Sequence, residues 1–428
     1  MTEALVLASM FLLIAVGVPI AVSILASALI GVWLLNGSLG FLNAALSLFD
    51  GATSFPLIAI PLFILAGALM NTGGISTRLI AFVSALIGFV RGGLAMVNVG
   101  VSLFFAEISG SAVADVAATG SVLIPAMKRK GYSPRFAAAI TSSTASLAII
   151  IPPSIPMILY GALSNTSIVQ LFVAGIVPGL LGASLLMGMC YYFAVRYDLP
   201  REDGFSLCRL AHATREAAWA LMLPIIILGG IFGGIVTATE GAGIAVLAAL
   251  LIGLLVYREL NLRKLYDALI DGVLQTSVVM LLVASSAVLG LYLTETQMPQ
   301  KLAAGITTLT ENPFLVLMII NVFLLFIGMV LHGAAAIILT VPIFMPLVNQ
   351  LGIDPVHFGI LLTLNIALGQ QTPPVASVLV TACSIARTDV WATTKTNLPF
   401  IAVLVFVLLI VTYVPAVPLW LVDVFYRT

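Results

Sequence analysis

Charge is scarce in this chain of 428 residues: 17 Lys and Arg and 17 Asp and Glu make up 8%, against 61% hydrophobic residues. A soluble globular protein carries about 25% charged residues. With a mean hydropathy of +1.21, the chain is instead a polytopic membrane protein. The equal signs leave no basic footprint for nucleic acid. Cysteine is nearly absent, and Cys190, Cys208 and Cys383 stand far apart with no metal-ligand spacing, which predicts free thiols. The sequence has no His-Glu-x-x-His, Gly-x-Ser-x-Gly or Walker loop, so neither an enzyme nor an ATP-driven pump is expected. The first 30 residues lack a positive n-region and stay apolar for longer than a signal-peptide core, so they read as a retained span.

What the chain does have is an internal duplication. Pro125, Gly131, Pro134, Pro152 and Pro153 recur 221 positions later as Pro346, Gly352, Pro355, Pro373 and Pro374. Paired, Pro-interrupted apolar segments in two halves of a membrane protein point to the binding site of a secondary transporter.

Apolar stretches long enough to cross a bilayer run over 5–34, 55–70, 134–163, 176–195, 213–235, 241–257, 265–293, 356–385 and 398–421, giving nine crossings. The stretches 92–127 and 314–347 break near Ser109-Gly110-Ser111 and His332-Gly333 and read as re-entrant hairpins. The segments 77–90 and 299–309 are too short to span and read as surface arms. Lys128-Arg129-Lys130 corresponds to the uncharged Asn349-Gln350-Leu351, while Arg387 and Lys395 correspond to the uncharged stretch after Ser164. Equivalent loops therefore face opposite sides, as an inverted-topology duplication requires. With nine crossings, the charge rule predicts a cytoplasmic amino terminus and a periplasmic carboxyl terminus.

Backbone left without helical partners in hydrocarbon costs several kcal/mol per group, so breaks survive only where protein, ions or water replace the partners. At Ile149 to Ser154 the prolines remove two donors and free upstream carbonyls for a cation. The helix restarting at Ser154 turns its positive end towards an anion. Gly369 to Pro374 repeats the arrangement, with Thr372 able to cap and Gln371 able to bond a ligand. The first tip adds Glu107 and Asp115, and intramembrane acids are functional by default. Asp115 either contacts a ligand or satisfies hairpin backbone donors. Candidate substrate contacts are Ser109, Gly110, Ser111, Asp115, Ser154, Asn365 and Gln371.

Ser109-Gly110-Ser111 with Asp115, Gly120 to Met127, Gly131-Tyr132, Ile151 to Pro156 and Gly369 to Pro374 resemble the large membrane subunit (M subunit) of TRAP, tripartite ATP-independent periplasmic, transporters. The resemblance covers essentially the whole chain in order. It implies an all-α, elevator-type, sodium-coupled symporter of a small organic anion such as a C4-dicarboxylate, a sialic acid or a sugar acid. The implied setting is a bacterial inner membrane, with a separate four-span small subunit (Q type) and a periplasmic substrate-binding protein (P type). Two or more sodium ions and no organic cofactor are expected. By motif position, the sodium sites fall on Ser109, Ala148, Ile151 and Pro153, and on Gly328, Gly369, Thr372 and Val375. Alanine stands at 148 where the family usually has glycine. The expected division is scaffold and arm over 1–91, hairpin and broken helix over 92–167, scaffold, linker and arm over 168–311, second hairpin and broken helix over 312–386, and arm with terminal scaffold helix over 387–428. A stand-alone ion-coupled anion carrier of the same architecture remains the alternative, and two carboxylates near the first tip keep proton coupling open.

Overall fold

The computed structural model describes residues 2–201, 204–310 and 312–426; the side chains of residues 2–4, 106–109, 302, 303 and 306–309 lie outside the description. The first half runs through α1 (Thr2–Ala15), α2 (Ile20–Asn36), α3 (Gly40–Thr53), α4 (Ala59–Thr72) and α5 (Ile75–Ile87). Hairpin 1 follows as α6 (Gly93–Ser109), α7 (Ala112–Asp115) and α8 (Ser121–Arg129), then the broken helix as α9 (Pro134–Ala145) and α10 (Ile155–Ser164), then α11 (Ile168–Arg196). The second half comprises α12 (Leu207–Phe232), α13 (Ala238–Leu251), α14 (Leu262–Glu295) and α15 (Met298–Leu309). Hairpin 2 is α16 (Pro313–Val330) and α17 (Gly333–Gln350), its broken helix α18 (Pro355–Gly369) and α19 (Ser377–Ala386), and α20 (Val390–Tyr413) and α21 (Ala416–Tyr426) complete the chain. No strand occurs among the described residues.

Local sequence sets the helix ends. Ser133 accepts a hydrogen bond from Phe136 N ahead of Pro134, and Asp354 accepts from Val356 N and His357 N ahead of Pro355. A side-chain cap with proline in the first turn thus opens both broken helices. The breaks themselves fall at 150–154 and 370–376, each with a cis peptide between its two prolines.

The inversion is visible in the scaffold. Asn36 bonds Glu295, a side chain at Gly51 would meet Ala287, and one at Gly272 would meet Leu65 at 3.6 Å. As the numbers in α3 and α4 rise, those in α14 fall, so the equivalent stretches of the two halves lie antiparallel. With α2, α12 and α13 they form the scaffold.

The amino terminus differs from its expected single crossing over 5–34. Gly17 adopts φ +94, open to glycine because it has no Cβ, and Ser9 Oγ donates to Ser27 Oγ at 3.1 Å. Helices α1 and α2 therefore fold back on each other about residues 16–19. At 14 and 17 residues they reach roughly 21 and 25 Å, short of the roughly 30 Å hydrocarbon core. The helix expected over 5–34 is thus two helices, and α2 runs on through residues 37–39 into α3 as one apolar segment, Ile20–Thr53, long enough to span. Among the described residues nine segments are long and apolar enough to span, but they include both arms of hairpin 2 and omit the broken helices, whose halves are too short alone.

Helices α11 and α20, expected with the scaffold, pack chiefly against the broken helices and each other, together with α21. Apolar composition fits either neighbourhood, and only the packing assigns them to the unit built from hairpins and breaks. A cross-half tie holds that unit together: Tyr160 O–H in α10 donates to Pro355 O in α18 at 2.6 Å. Tyr160→Phe is expected to lower stability by about 1 kcal/mol, read as a thermal shift of the purified protein; no shift would show that the tie carries no weight.

Candidate functional site

Each hairpin tip sits on the break of its own half. Gly110, left-handed at φ +56, lets tip 1 approach the first break so closely that a Cβ there would lie 3.0 Å from Ile155 N and 3.2 Å from Pro153 O. In the second half a Cβ on Gly328 would stand 3.1 Å from Gly369 Cα, and one on Gly369 would collide with the Gly328 backbone. Met329 O accepts a hydrogen bond from Val375 N at 3.2 Å, and Thr372 Oγ1 donates to Leu368 O at 2.9 Å. Gly328, Gly369, Thr372 and Val375 thus meet at one junction. That hydroxyl keeps lone pairs for a cation while its proton stays within the helix. Of the first proposed ion set, Ala148 and Ile151 are buried, Pro153 faces tip 1, and the side chain of Ser109 lies outside the described residues.

Between the tips and the scaffold lies a cavity of about 600 Å³. Hairpin 1 contributes Gly110, Ser111 and residues 112–114, 117 and 118; tip 2 contributes His332 and Gly333; the restart of α10 contributes Ile155 and Pro156. The scaffold wall is α4 and α14, whose polar contributions are Asn71, Thr72, Asp271 and Gln275. Among the described residues no Lys or Arg lines it.

Among the described residues, Gly110 and Ser111 are the expected substrate contacts that line this cavity, and the side chain of Ser109 lies outside the description. Asp115 turns the other way: Val113, Ala114, Ala117 and Ala118 face the cavity, whereas Asp115, Val116 and Thr119 are fully buried behind them. Its carboxylate lies beside Ser102 without a good hydrogen bond and has no basic partner among the described residues. Ser154 Oγ donates across the break to Ile149 O at 2.6 Å and so staples it. Asn365 donates to Asn321 Oδ1 at 2.8 Å, tying α18 to the hairpin arm α16; Thr144, 221 positions earlier, donates to Asn98 Oδ1 at 3.0 Å.

Gln371, expected to bond a ligand, is fully buried between the halves. Its Oε1 accepts from Ser143 Oγ at 2.8 Å and Asn397 Nδ2 at 3.3 Å, and its Nε2 donates to Ser146 Oγ at 2.6 Å. The neighbouring Gln370 reaches the cavity instead. Sequence reasoning missed Gln370, Asn71, Thr72, Gln275 and Asp271. One signal was present for the last: Asp50-Gly51 and Asp271-Gly272 are also 221 apart.

Residues 7–417 match the family described as "Tripartite ATP-independent periplasmic transporter, DctM component". The chain is 41% identical over 96% of its length to the isethionate TRAP transporter permease protein DctMQ of Oleidesulfovibrio alaskensis, spanning 64% of that longer protein. It is 40% identical to the C4-dicarboxylate TRAP transporter large permease protein DctM of Pseudomonas aeruginosa, over 88% of both chains. The crystal structure of the Alcanivorax borkumensis YdaH transporter, described as having an unusual topology, superposes with a TM-score of 0.66 at 17% identity, covering 94% of this chain and 96% of that one. That likeness concerns the fold.

Proposed function

The chain belongs to the DctM family of tripartite ATP-independent periplasmic transporters, and from that premise we propose that it is the large membrane subunit of a sodium-coupled symporter for a small organic anion. A periplasmic binding protein delivers the anion, and a small membrane subunit completes the complex. The observation that carries this reading is the cavity lined by both hairpin tips and, among the described residues, by no Lys or Arg. An anion entering low dielectric needs its charge balanced. Here the balance falls to helix ends such as Ile155-Pro156 and to co-bound cations at the two tip-to-break junctions. Thr372 and the Gly328–Gly369 contact supply one of these, and the carbonyls around Ala148, Ile151 and Pro153 supply the other. Relatives named for isethionate and C4-dicarboxylate support an acid as cargo and leave its identity to the binding protein.

The conformation supports an elevator cycle. The cavity borders α4 from Ile64 to its end and α14 from Ala268 to Leu282, on the side of these helices nearer the Arg78–Glu259 ion pair. The charge rule assigns that end to the cytoplasm. A unit whose tips face this half of the scaffold is displaced inward, and sliding it along α4 and α14 would expose the same tips to the periplasm. The first basic residue after the amino-terminal hairpin is Arg78, so folding residues 2–36 back leaves the charge rule intact and moves the amino terminus to the periplasm. An alkaline phosphatase fusion at that end is expected to be active; an inactive, stably inserted fusion would restore the cytoplasmic assignment.

Function is tested by uptake into proteoliposomes holding this chain with its small subunit, using a panel of labelled organic acids. Accumulation that needs both an inward sodium gradient and the binding protein is expected. Accumulation without the binding protein would favour a stand-alone carrier, and equilibration that ignores sodium would overturn coupling.

A further inference from the structure

A second cavity, of about 400 Å³, lies away from the hairpin tips. Its wall includes Arg135 and Phe136 at the start of α9, Phe193 and Tyr197 at the end of α11, and Lys395 and Thr396 near the start of α20. Neither Arg135 nor Lys395 has an ion-pair partner among the described residues. The amino-terminal end of α9, capped by Ser133, adds its positive partial charge. Beneath the cations is an aromatic floor. Phe193 and Tyr197 stack with centroids 5.5 Å apart, and Phe136 and Phe400 pack on Phe193 at 6.0 and 5.5 Å.

The depth of this cavity in the bilayer decides what it suits. It is bounded by the last turn of one apolar span, Ile168–Arg196, and the first turns of another, Val390–Tyr413. Around it Tyr191, Tyr192 and Trp391 are exposed, the mark of a membrane–water interface. Lys128, Arg129, Lys130, Arg196 and Arg387 occupy the same end of the molecule. A phosphodiester with acyl chains meets all of this at once: the charge faces Arg135 and Lys395, the hydroxyls of Tyr197 and Thr396 face the polar headgroup, and the glycerol and first methylenes rest on the rings. Basic pockets between helices on the cytoplasmic side are of this kind. We propose that the Arg135–Lys395 cavity binds the phosphate of an anionic phospholipid headgroup.

The test uses the full chain purified from membranes, exchanged against phosphatidylglycerol or phosphatidylcholine vesicles, with retained lipid read by native mass spectrometry. Retention of phosphatidylglycerol over phosphatidylcholine is expected. Lys395→Gln should lower it about fivefold and Arg135→Gln with Lys395→Gln roughly thirtyfold, as for about one headgroup-strength contact per cation. Lys395→Arg should keep wild-type retention. Should the double variant fail to insert, the single variants carry the same comparison. Equal retention in wild type and Lys395→Gln would overturn the proposal. Inorganic phosphate is the second probe: if it binds with the same dependence on Arg135 and Lys395 while phosphatidylglycerol is not retained, the site takes a soluble anion and the lipid assignment fails.

Discussion

Gly369→Val is expected to abolish the proposed sodium-driven uptake, to below about a hundredth of wild type, while the protein still inserts. The reason is local. A Cβ at 369 would run into the Gly328 backbone, and Gly328 in turn packs on Gly369, Ile366 and the Asn365 carbonyl. Backbone meets backbone on both sides, so no flexible side chain can give way, and overpacking of this kind costs typically 1–3 kcal/mol or more. The strain falls where tip 2 meets the second break, so the loss is one of junction geometry and not of membrane insertion. Gly243→Val is the control, because a side chain there meets nothing within 4 Å. Uptake by reconstituted protein, with sodium titrated, is the measurement. Normal sodium dependence in Gly369→Val would remove the junction from the proposed coupling.

Gln371→Leu is expected to lower stability by about 1–3 kcal/mol, more than its effect on substrate affinity. The substitution takes the Gln371 acceptor from the buried Asn397 amide and the Gln371 donor from Ser146 Oγ, whereas Ser143 Oγ still donates to Asn397 Oδ1 and Ser146 Oγ to Ala367 O. Each orphaned buried group costs about 1–3 kcal/mol, tempered by the modest hydrogen-bond energies found within membranes, about 0.6 kcal/mol on average. Because these bonds join α9 to the second break and to α20, the loss loosens one half from the other. Unfolding in detergent, followed alongside the apparent affinity for sodium and substrate, separates the roles. Unchanged stability with a large loss of affinity would return Gln371 to the ligand site. Gln370→Leu is expected to show the reverse pattern, since Gln370 lines the cavity.

The contrast between Gln370 and Gln371 marks how far sequence reading reaches. The break itself was legible, because Pro373 and Pro374 cannot continue a helix and its copy at Pro152-Pro153 fixes the spacing. Which of two adjacent glutamines turns towards the cavity depends on the short turns after Gly369, where Gln371 N bonds Leu368 O and Thr372 N bonds Gly369 O. Nothing in the residue types selects between them. Asp115 is a parallel case. An acid in apolar sequence draws attention whatever it faces, and here the helix register turns it away from the cavity while Asp271, on a distant scaffold helix, turns in. The division of 5–34 into α1 and α2 was missed because Gly17-Val18-Pro19 lies in an unbroken apolar run, and hydropathy alone does not register a fold-back.

By itself the sequence determined the membrane setting, the duplication, its inversion, the hairpins and the two breaks. Composition, proline placement and the side on which basic residues fall are properties of the chain that hydrocarbon enforces without regard to neighbours. Tertiary structure alone decided which helices pack with the breaks, which polar groups are consumed in ties between the halves, and which face the cavity. Those outcomes depend on contacts between residues far apart in sequence, such as Ser143 with Gln371, Tyr160 with Pro355 and Gly110 with Pro153. No local pattern encodes them.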